Sequence, residues 1–326
     1  MTTIQQAGSA WLASVQASRR SKTFETYRCA LKFLYATLSR RGQNPAKTPA
    51  SALNEKAFTA MIDDFHHDPG KYSVATELLY IAGARQFFIY LVAEDLANVN
   101  MEKIKNLVHQ RARRAGRRLP EFPEKDISAV VAWVDKRMPI APDGMARLRD
   151  LRDRALVLAL ADSGLRIHEA CNLLYKEIDF ENGTAEIIGK GDKQAIVYFS
   201  QRALLAIQRY LNERRKAGGS SNTLLMDQPI FARHDKAIGK KLSGIKTGTG
   251  RSIIERIVGM TPQVQSNNIT PHKFRHFFVT MILNETNDLN TTKELARHSN
   301  IEMTTRYVHK SRSSIGDAYR RAIKDK

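Results

Sequence analysis

Cysteine is scarce in this chain: Cys29 and Cys171 are the only two, far apart and outside any CxxC motif. A disulfide scaffold and a zinc-finger framework are therefore excluded, and a reduced cytoplasmic compartment fits. Long hydrophobic runs are missing as well. The longest, near Ala155 to Ala161, is far too short to cross a bilayer, so no membrane partner is expected. The opening residues, Met1 to Gln6, carry neither a basic n-region nor an apolar h-region, which argues against a secretory signal. Carboxylates are few beside the basic residues, and no acidic cluster suggests a metal site.

What is abundant is positive charge. Lys and Arg number 52 against 33 Asp and Glu in 326 residues, a net charge of +19 with His neutral. Basic side chains gathered on one face neutralise phosphates and release counterions, so nucleic acid is the leading partner. On charge alone, an RNA-binding protein or a well-solvated basic protein would also fit. Apolar residues at 42% and charged residues at 26% suffice for a packed core and exclude wholesale disorder. The length suggests about two domains.

Residues 1–108 read as an all-helical domain. Phe24, Tyr27, Leu31, Leu34 and Leu38 recur at helical spacing between Thr23 and Arg41, with Gly42 as a stop. A second helix fits Glu55 to His66. A third fits Val74 to Leu96, with Leu78, Leu79, Ala82, Phe87, Phe88 and Leu91 as its core face. Residues 109–123 break the pattern with Arg111, Arg113, Arg114, Arg117 and Arg118, followed by two prolines. They read as an exposed linker: either a solvated tether or a basic strap along a DNA backbone.

Residues 124–326 read as mixed. Helices are expected over Lys125–Asp135, Leu148–Ser163 and Gln201–Lys216. Short β-branched runs at Ile178–Phe180, Thr184–Ile188 and Gln194–Phe199, separated by Asn-Gly and Gly-rich turns, predict a small antiparallel sheet. Residues 217–268, rich in Gly, Ser and Lys, read as loops or short helices, and helical pieces follow from Pro271. The expected fold is mainly α with one small antiparallel β-sheet.

Four stretches carry candidate chemistry. Thr270 can cap a helix that begins at Pro271, which places His272 and Arg275 on one face of the first turn. Free N–H groups and the helix dipole already attract anions there, so the pair forms a phosphate site or else decorates a helix start. Arg166 begins a helix after Gly164, with Glu169 one turn on; this is a guanidinium–carboxylate pair with a site role or a surface role. Lys190, between Gly189 and Gly191 at a hairpin tip, can give a proton, bind a phosphate or be a solvated turn lysine. It is not part of a Walker motif. His298 closes a short helix, and Tyr307 lies on the next stretch.

Arg166, Lys190, His272-x-x-Arg275, His298 and Tyr307, in this order and spacing, resemble the tyrosine recombinase (phage integrase) family. The local contexts match too: Ser163 to Glu169, His272 to Thr280 and Met303 to His309 each resemble one of the family's boxes. The motif resemblance covers about residues 120–326, and the helical N-terminal part resembles the core-binding domain by architecture alone. One residue departs from the pattern: Arg297 stands where the family usually has Gly before its histidine.

The resemblance implies a two-domain clamp on double-stranded DNA, with catalytic residues 124–326 ending in an exchange segment. The layout is Xer-like or that of a small integrase, since no arm-binding domain is expected ahead of it. It implies a site-specific recombinase for integration, excision or resolution, a tetramer in the synapse or a monomer free in solution, with any accessory DNA-bending protein or partner recombinase. No cofactor and no metal are implied, and the compartment is the cytoplasm, at the nucleoid. Tyr307 is then the nucleophile, with Arg166 and Arg275 on the phosphate oxygens and Lys190 as the acid. His272 is the base, His298 a phosphate hydrogen-bonder, and Glu169 orients Arg166. Two alternatives share these residues: a DNA-binding protein on this fold that does not cut, and a type IB topoisomerase.

Overall fold

The computed structural model describes residues 1–19, 21–67, 70–113, 122–188, 194–217, 226–234, 242–262, 264–266 and 268–297. Two compact units divide the chain, residues 1–120 and 121–326. As the residue pattern suggested, the chain is mainly helical with a three-stranded antiparallel sheet.

The first unit holds helices α1 (Ile4–Ser18), α2 (Ser21–Arg40), α3 (Glu55–His67), α4 (Val74–Ala93) and α5 (Met101–Arg111). α1 starts in a capping box. Thr3 Oγ1 accepts the Gln6 N–H at 3.2 Å while Gln6 Oε1 accepts the Thr3 N–H at 2.9 Å. Leu31, Leu34 and Leu38 of α2 are buried, and Phe24 and Tyr27 pack at their edge. Their partners include Phe58, Phe65, Phe87 and Phe88, and Phe33 stacks on Phe65 with ring centroids 4.2 Å apart.

α4 ends at Ala93, and its buried face is rotated from the expected one. Phe87, Phe88 and Leu91 are buried, but Leu79 and Ala82 face solvent and Leu78 is half-buried. Glu77, Ile81 and Ala84 take the inner positions. A helix that is apolar nearly all round gives periodicity little to select from, and a charge pair lies on its inner face. Arg113 Nε donates to the fully buried Glu77 carboxylate at 2.6 Å, and its Nη2 donates to the Tyr72 carbonyl at 3.1 Å. Arg113, expected on a DNA backbone, is thus tied into its own unit because a buried carboxylate needs a partner. Arg111 ends α5, so residues 109–111 are helix rather than linker. Its Nη1 stands 3.9 Å from Asp63, and half of the side chain is exposed. Arg114, Arg117 and Arg118 lie outside the described residues.

The second unit is built around α7 (Gly144–Ser163), buried almost all round from Leu151 to Ala161. α6 (Glu124–Lys136), α9 (Gln201–Ala217) and α11 (Pro271–Thr286) pack on it. α8 (Ile167–Asn172) follows α7 directly, and α12 (Leu289–Ala296) packs on α11. Strands β1 (Ile178–Asp179), β2 (Thr184–Ile188) and β3 (Gln194–Tyr198) pair in sequence order, with Ala185 opposite both Ile178 and Val197. Ile178, Ala185, Ile187 and Val197 face the core.

The region read as loops or short helices contains a helix of 14 residues, α10 (Thr247–Met260). Its glycines disguised it. A Cβ on Gly250 would stand 2.7 Å from the Ile167 side chain, so this glycine serves helix–helix approach rather than a turn. Asp162 joins the end of α7 to the start of α9. Its carboxylate accepts from Arg202 Nε and Nη2, each at 2.6 Å, and from the Ser200 hydroxyl.

Candidate active site

The chain leaves α7 through Gly164, whose φ of 61° and ψ of 21° lie in the left-handed region that glycine adopts without penalty. That turn ends α7 and leads within two residues to Arg166, the N-cap of α8. Glu169, one turn on, reaches back. Its Oε2 accepts the Arg166 backbone N–H at 2.8 Å, and its Oε1 accepts from Arg166 Nη1 at 2.9 Å. Only 2% of the Glu169 side chain is exposed, against 31% for Arg166. The guanidinium therefore sits on the solvent side of a buried carboxylate that holds its stem and fork.

α11 begins as expected, with Thr270 as N-cap and Pro271 in the first turn, although the Thr270 side chain makes no capping bond. Arg275 points inward. Its Nη1 donates to the Gly164 carbonyl at 2.5 Å and its Nη2 to the Ala296 carbonyl. The guanidinium thus ties together the α7–α8 turn, α11 and the end of α12. Sequence spacing alone had put Arg275 and His272 on one face. The structure adds that Arg275 is nearly fully buried, whereas the neighbouring His272 is exposed.

His272 and His276 meet edge to face, with ring centroids 4.5 Å apart, and Phe122 lies 6.1 Å from the His276 ring. Burial, then the Arg275, Arg166 and Lys273 charges, pushes the His272 imidazole below its ordinary range. Burial, then His272, Lys273 and Arg275, pushes His276 down to about 4. A neutral His272 at pH 7 is the form able to accept a proton. The family boxes do not single out His276, which lies one helical turn on from His272 and is partly buried.

These shifts fix the sign of a stability effect. Unfolded histidines bind protons as pH falls through about 6.5, whereas the folded His276 resists until about 4. The contribution is complete above pH 6.5 and is lost as pH falls toward 4. Urea unfolding is expected to show a lower midpoint at about pH 4.5 than at about pH 7. His276→Gln is expected to flatten that difference; an unchanged slope would refute the assignment.

Arg297 is the second residue of this cluster whose placement the sequence did not specify. It caps α12 at φ 54° and ψ 46°. Its Nη2 donates to the Gly164 carbonyl at 3.0 Å, and its Nη1 stands 3.1 Å from Glu169 Oε2. Burial raises the energy of the Glu169 charge, but Arg297 and then the Arg166 bonds outweigh it and hold the carboxyl below its usual range. Arg166, Glu169, His272, Arg275 and Arg297 thus gather around one turn. Lys190, His298 and Tyr307 lie outside the described residues.

A model of the phage integrase family matches residues 91–314. The chain belongs to that family. Among curated phage integrase relatives, tyrosine recombinase XerC of Bacillus subtilis (strain 168) is 29% identical over 241 residues. That alignment covers 73% of this chain and 71% of the relative. XerC of Escherichia coli O127:H6 is 27% identical over 246 residues, 75% and 73% of the two chains. Among solved structures, the Tn1549 transposon integrase in complex with transposon right end DNA superposes with a TM-score of 0.68 at 16% identity. It covers 98% of this chain and 99% of that one. A lambda integrase dimer bound to a COC′ core site gives 0.62 at 17% identity, covering 94% and 95%. These likenesses establish a shared phage integrase fold. Among the described residues, no helix is long and apolar enough to cross a membrane.

Proposed function

We propose that this chain is a site-specific DNA recombinase that cuts and rejoins strands through a 3′-phosphotyrosine intermediate. The observation that carries this reading is the pair of guanidiniums at the α7–α8 turn, Arg166 held by Glu169 and Arg275 on the Gly164 carbonyl, with His272 within reach of both charges, in a phage integrase chain. In this reading the Tyr307 oxygen attacks the scissile phosphorus and the bond to O5′ breaks. His272 takes the tyrosine proton, and Lys190 gives one to the departing O5′. Tyrosine has an ordinary pKa near 10 and needs such a base at neutral pH. Arg166 and Arg275 stabilise charge on the non-bridging oxygens, a task suited to planar, permanently charged guanidinium. His298 hydrogen-bonds the same phosphate. A 5′-hydroxyl from another strand then attacks the phosphotyrosine and releases Tyr307, so integration, excision and resolution use one chemistry. The reading carries with it a tetramer on paired DNA sites in the cytoplasm, and Arg114, Arg117 and Arg118 as backbone contacts.

The test is covalent trapping on a nicked suicide duplex carrying candidate sites from DNA flanking the gene. Wild-type protein is expected to form an adduct that survives denaturing gels, and proteolysis with mass spectrometry is expected to map it to Tyr307. Binding without any adduct would overturn cleavage and leave a DNA-binding protein on this fold. Adduct formation with supercoil relaxation by a monomer on any sequence would favour topoisomerase activity instead.

A further inference from the structure

Arg297 occupies a costly position in two respects. Its backbone lies at φ 54°, a region that a side chain bearing a Cβ adopts only against steric resistance. Its guanidinium is buried, with 10% of the side chain exposed. A charge so placed persists only where its surroundings hold it. Here they do: Nη2 donates to the Gly164 carbonyl at 3.0 Å, the same oxygen that accepts from Arg275 at 2.5 Å. Nη1 stands 3.1 Å from Glu169 Oε2 but off the hydrogen-bond axis, so that contact is one of charge. Nε has no hydrogen-bond acceptor among the described residues.

Glu169 is therefore shared. Its carboxylate is the counter-ion of Arg166, bonded at both Nη1 and the backbone N–H. With a lone arginine, that carboxylate would cancel most of the positive charge that Arg166 offers to a phosphate. A second arginine on Oε2 takes up part of the carboxylate charge, and it also pins the carbonyl that orients Arg275. We propose that Arg297 is a positioning residue that acts through Glu169 and the Gly164 carbonyl. It leaves Arg166 electrostatically available to the scissile phosphate and adds a second lock on the Arg275 fork. The assignment rests on the recombinase reading above and deepens it.

The experiment compares wild type, Arg297→Gly, Arg297→Lys, Glu169→Gln and the double variant Arg297→Gly/Glu169→Gln. Single-turnover adduct formation on the nicked suicide duplex gives the cleavage rate, and a filter or mobility assay on the same duplex gives Kd. Arg297→Gly is expected to cleave about ten- to a hundredfold more slowly, the range for loss of a residue that orients a site group. Its Kd is expected to stay within about threefold, because so buried a group meets little DNA. Arg297→Lys, which keeps the charge beside Glu169, is expected to recover part of the rate. In the Glu169→Gln background the Arg297→Gly effect is expected to shrink to about threefold or less, since the carboxylate it compensates is gone.

Wild-type cleavage by Arg297→Gly would overturn the proposal. So would an undiminished loss in the Glu169→Gln background, and a large rise in Kd would make Arg297 a direct phosphate contact instead. A wild-type protein that forms no adduct overturns the recombinase reading itself, so the two failures are separate results. Glycine relieves the backbone strain, and cooperative urea unfolding of Arg297→Gly confirms that a rate loss is not a folding loss.

Discussion

Arg275→Ala is expected to lower covalent adduct formation by about a thousandfold and to weaken the fold as well. Two effects combine. Under the proposed mechanism the substitution removes a guanidinium from the charge developing on phosphorus, and losing one such donor is worth about 10²–10³ in rate. The same group also donates to the Gly164 and Ala296 carbonyls, so truncation strips donors from two backbone acceptors and leaves a void where a buried side chain stood. A stability loss of about 2–4 kcal/mol follows from the cost of buried acceptors without partners. Adduct formation at saturating DNA reads the first effect, and urea unfolding reads the second. Arg275→Lys separates them. An ammonium reaches one carbonyl but cannot span two, so stability is partly restored while cleavage stays at least about tenfold down. A lysine variant that cleaves like wild type would show that charge alone, without the fork, suffices.

Gly164→Ala is the second large effect, and it needs no DNA to be seen. At φ 61° a side chain costs about 1–2 kcal/mol relative to glycine. The added Cβ would also stand 2.4 Å from Phe278 Cδ1, inside any real contact, and forcing such overlap in a packed region costs about 1–3 kcal/mol more. A total loss of about 2–5 kcal/mol is expected from urea unfolding. Placing Gly164→Ala in a Phe278→Ala background is expected to recover the overlap part and leave the strain part. Equal losses in both backgrounds would mean that backbone strain dominates. Cleavage is expected to fall further than stability explains, because this turn carries the carbonyl shared by Arg275 and Arg297.

Much of the fold was legible because the residues that make local structure act locally. β2 runs over the expected Thr184–Ile188, and the starts of α8 and α11 fall where Gly164, Thr270 and Pro271 placed them. Capping and turn chemistry need only neighbours in the chain, so a sequence can display them. The failures share the opposite property. Gly250 belongs to a Gly-rich stretch that reads as loops or short helices until α8 is known to press against it. Arg113 reads as a free strap residue until Glu77 is seen buried beside Tyr72, some 36 residues back along the chain.

The candidate site divides the same way. The order and spacing of Arg166, Lys190, His272, Arg275, His298 and Tyr307 carried the family resemblance, which the family model over residues 91–314 bears out. Only the tertiary structure decided what the described residues among them face. It turned Arg275 inward onto two carbonyls and made Arg297 a partner of Glu169. Such pairings join residues from α7, α8, α11 and α12 that are distant in sequence. Long-range electrostatics and burial are properties of the assembled unit, and no local pattern encodes which charge will be left beside which.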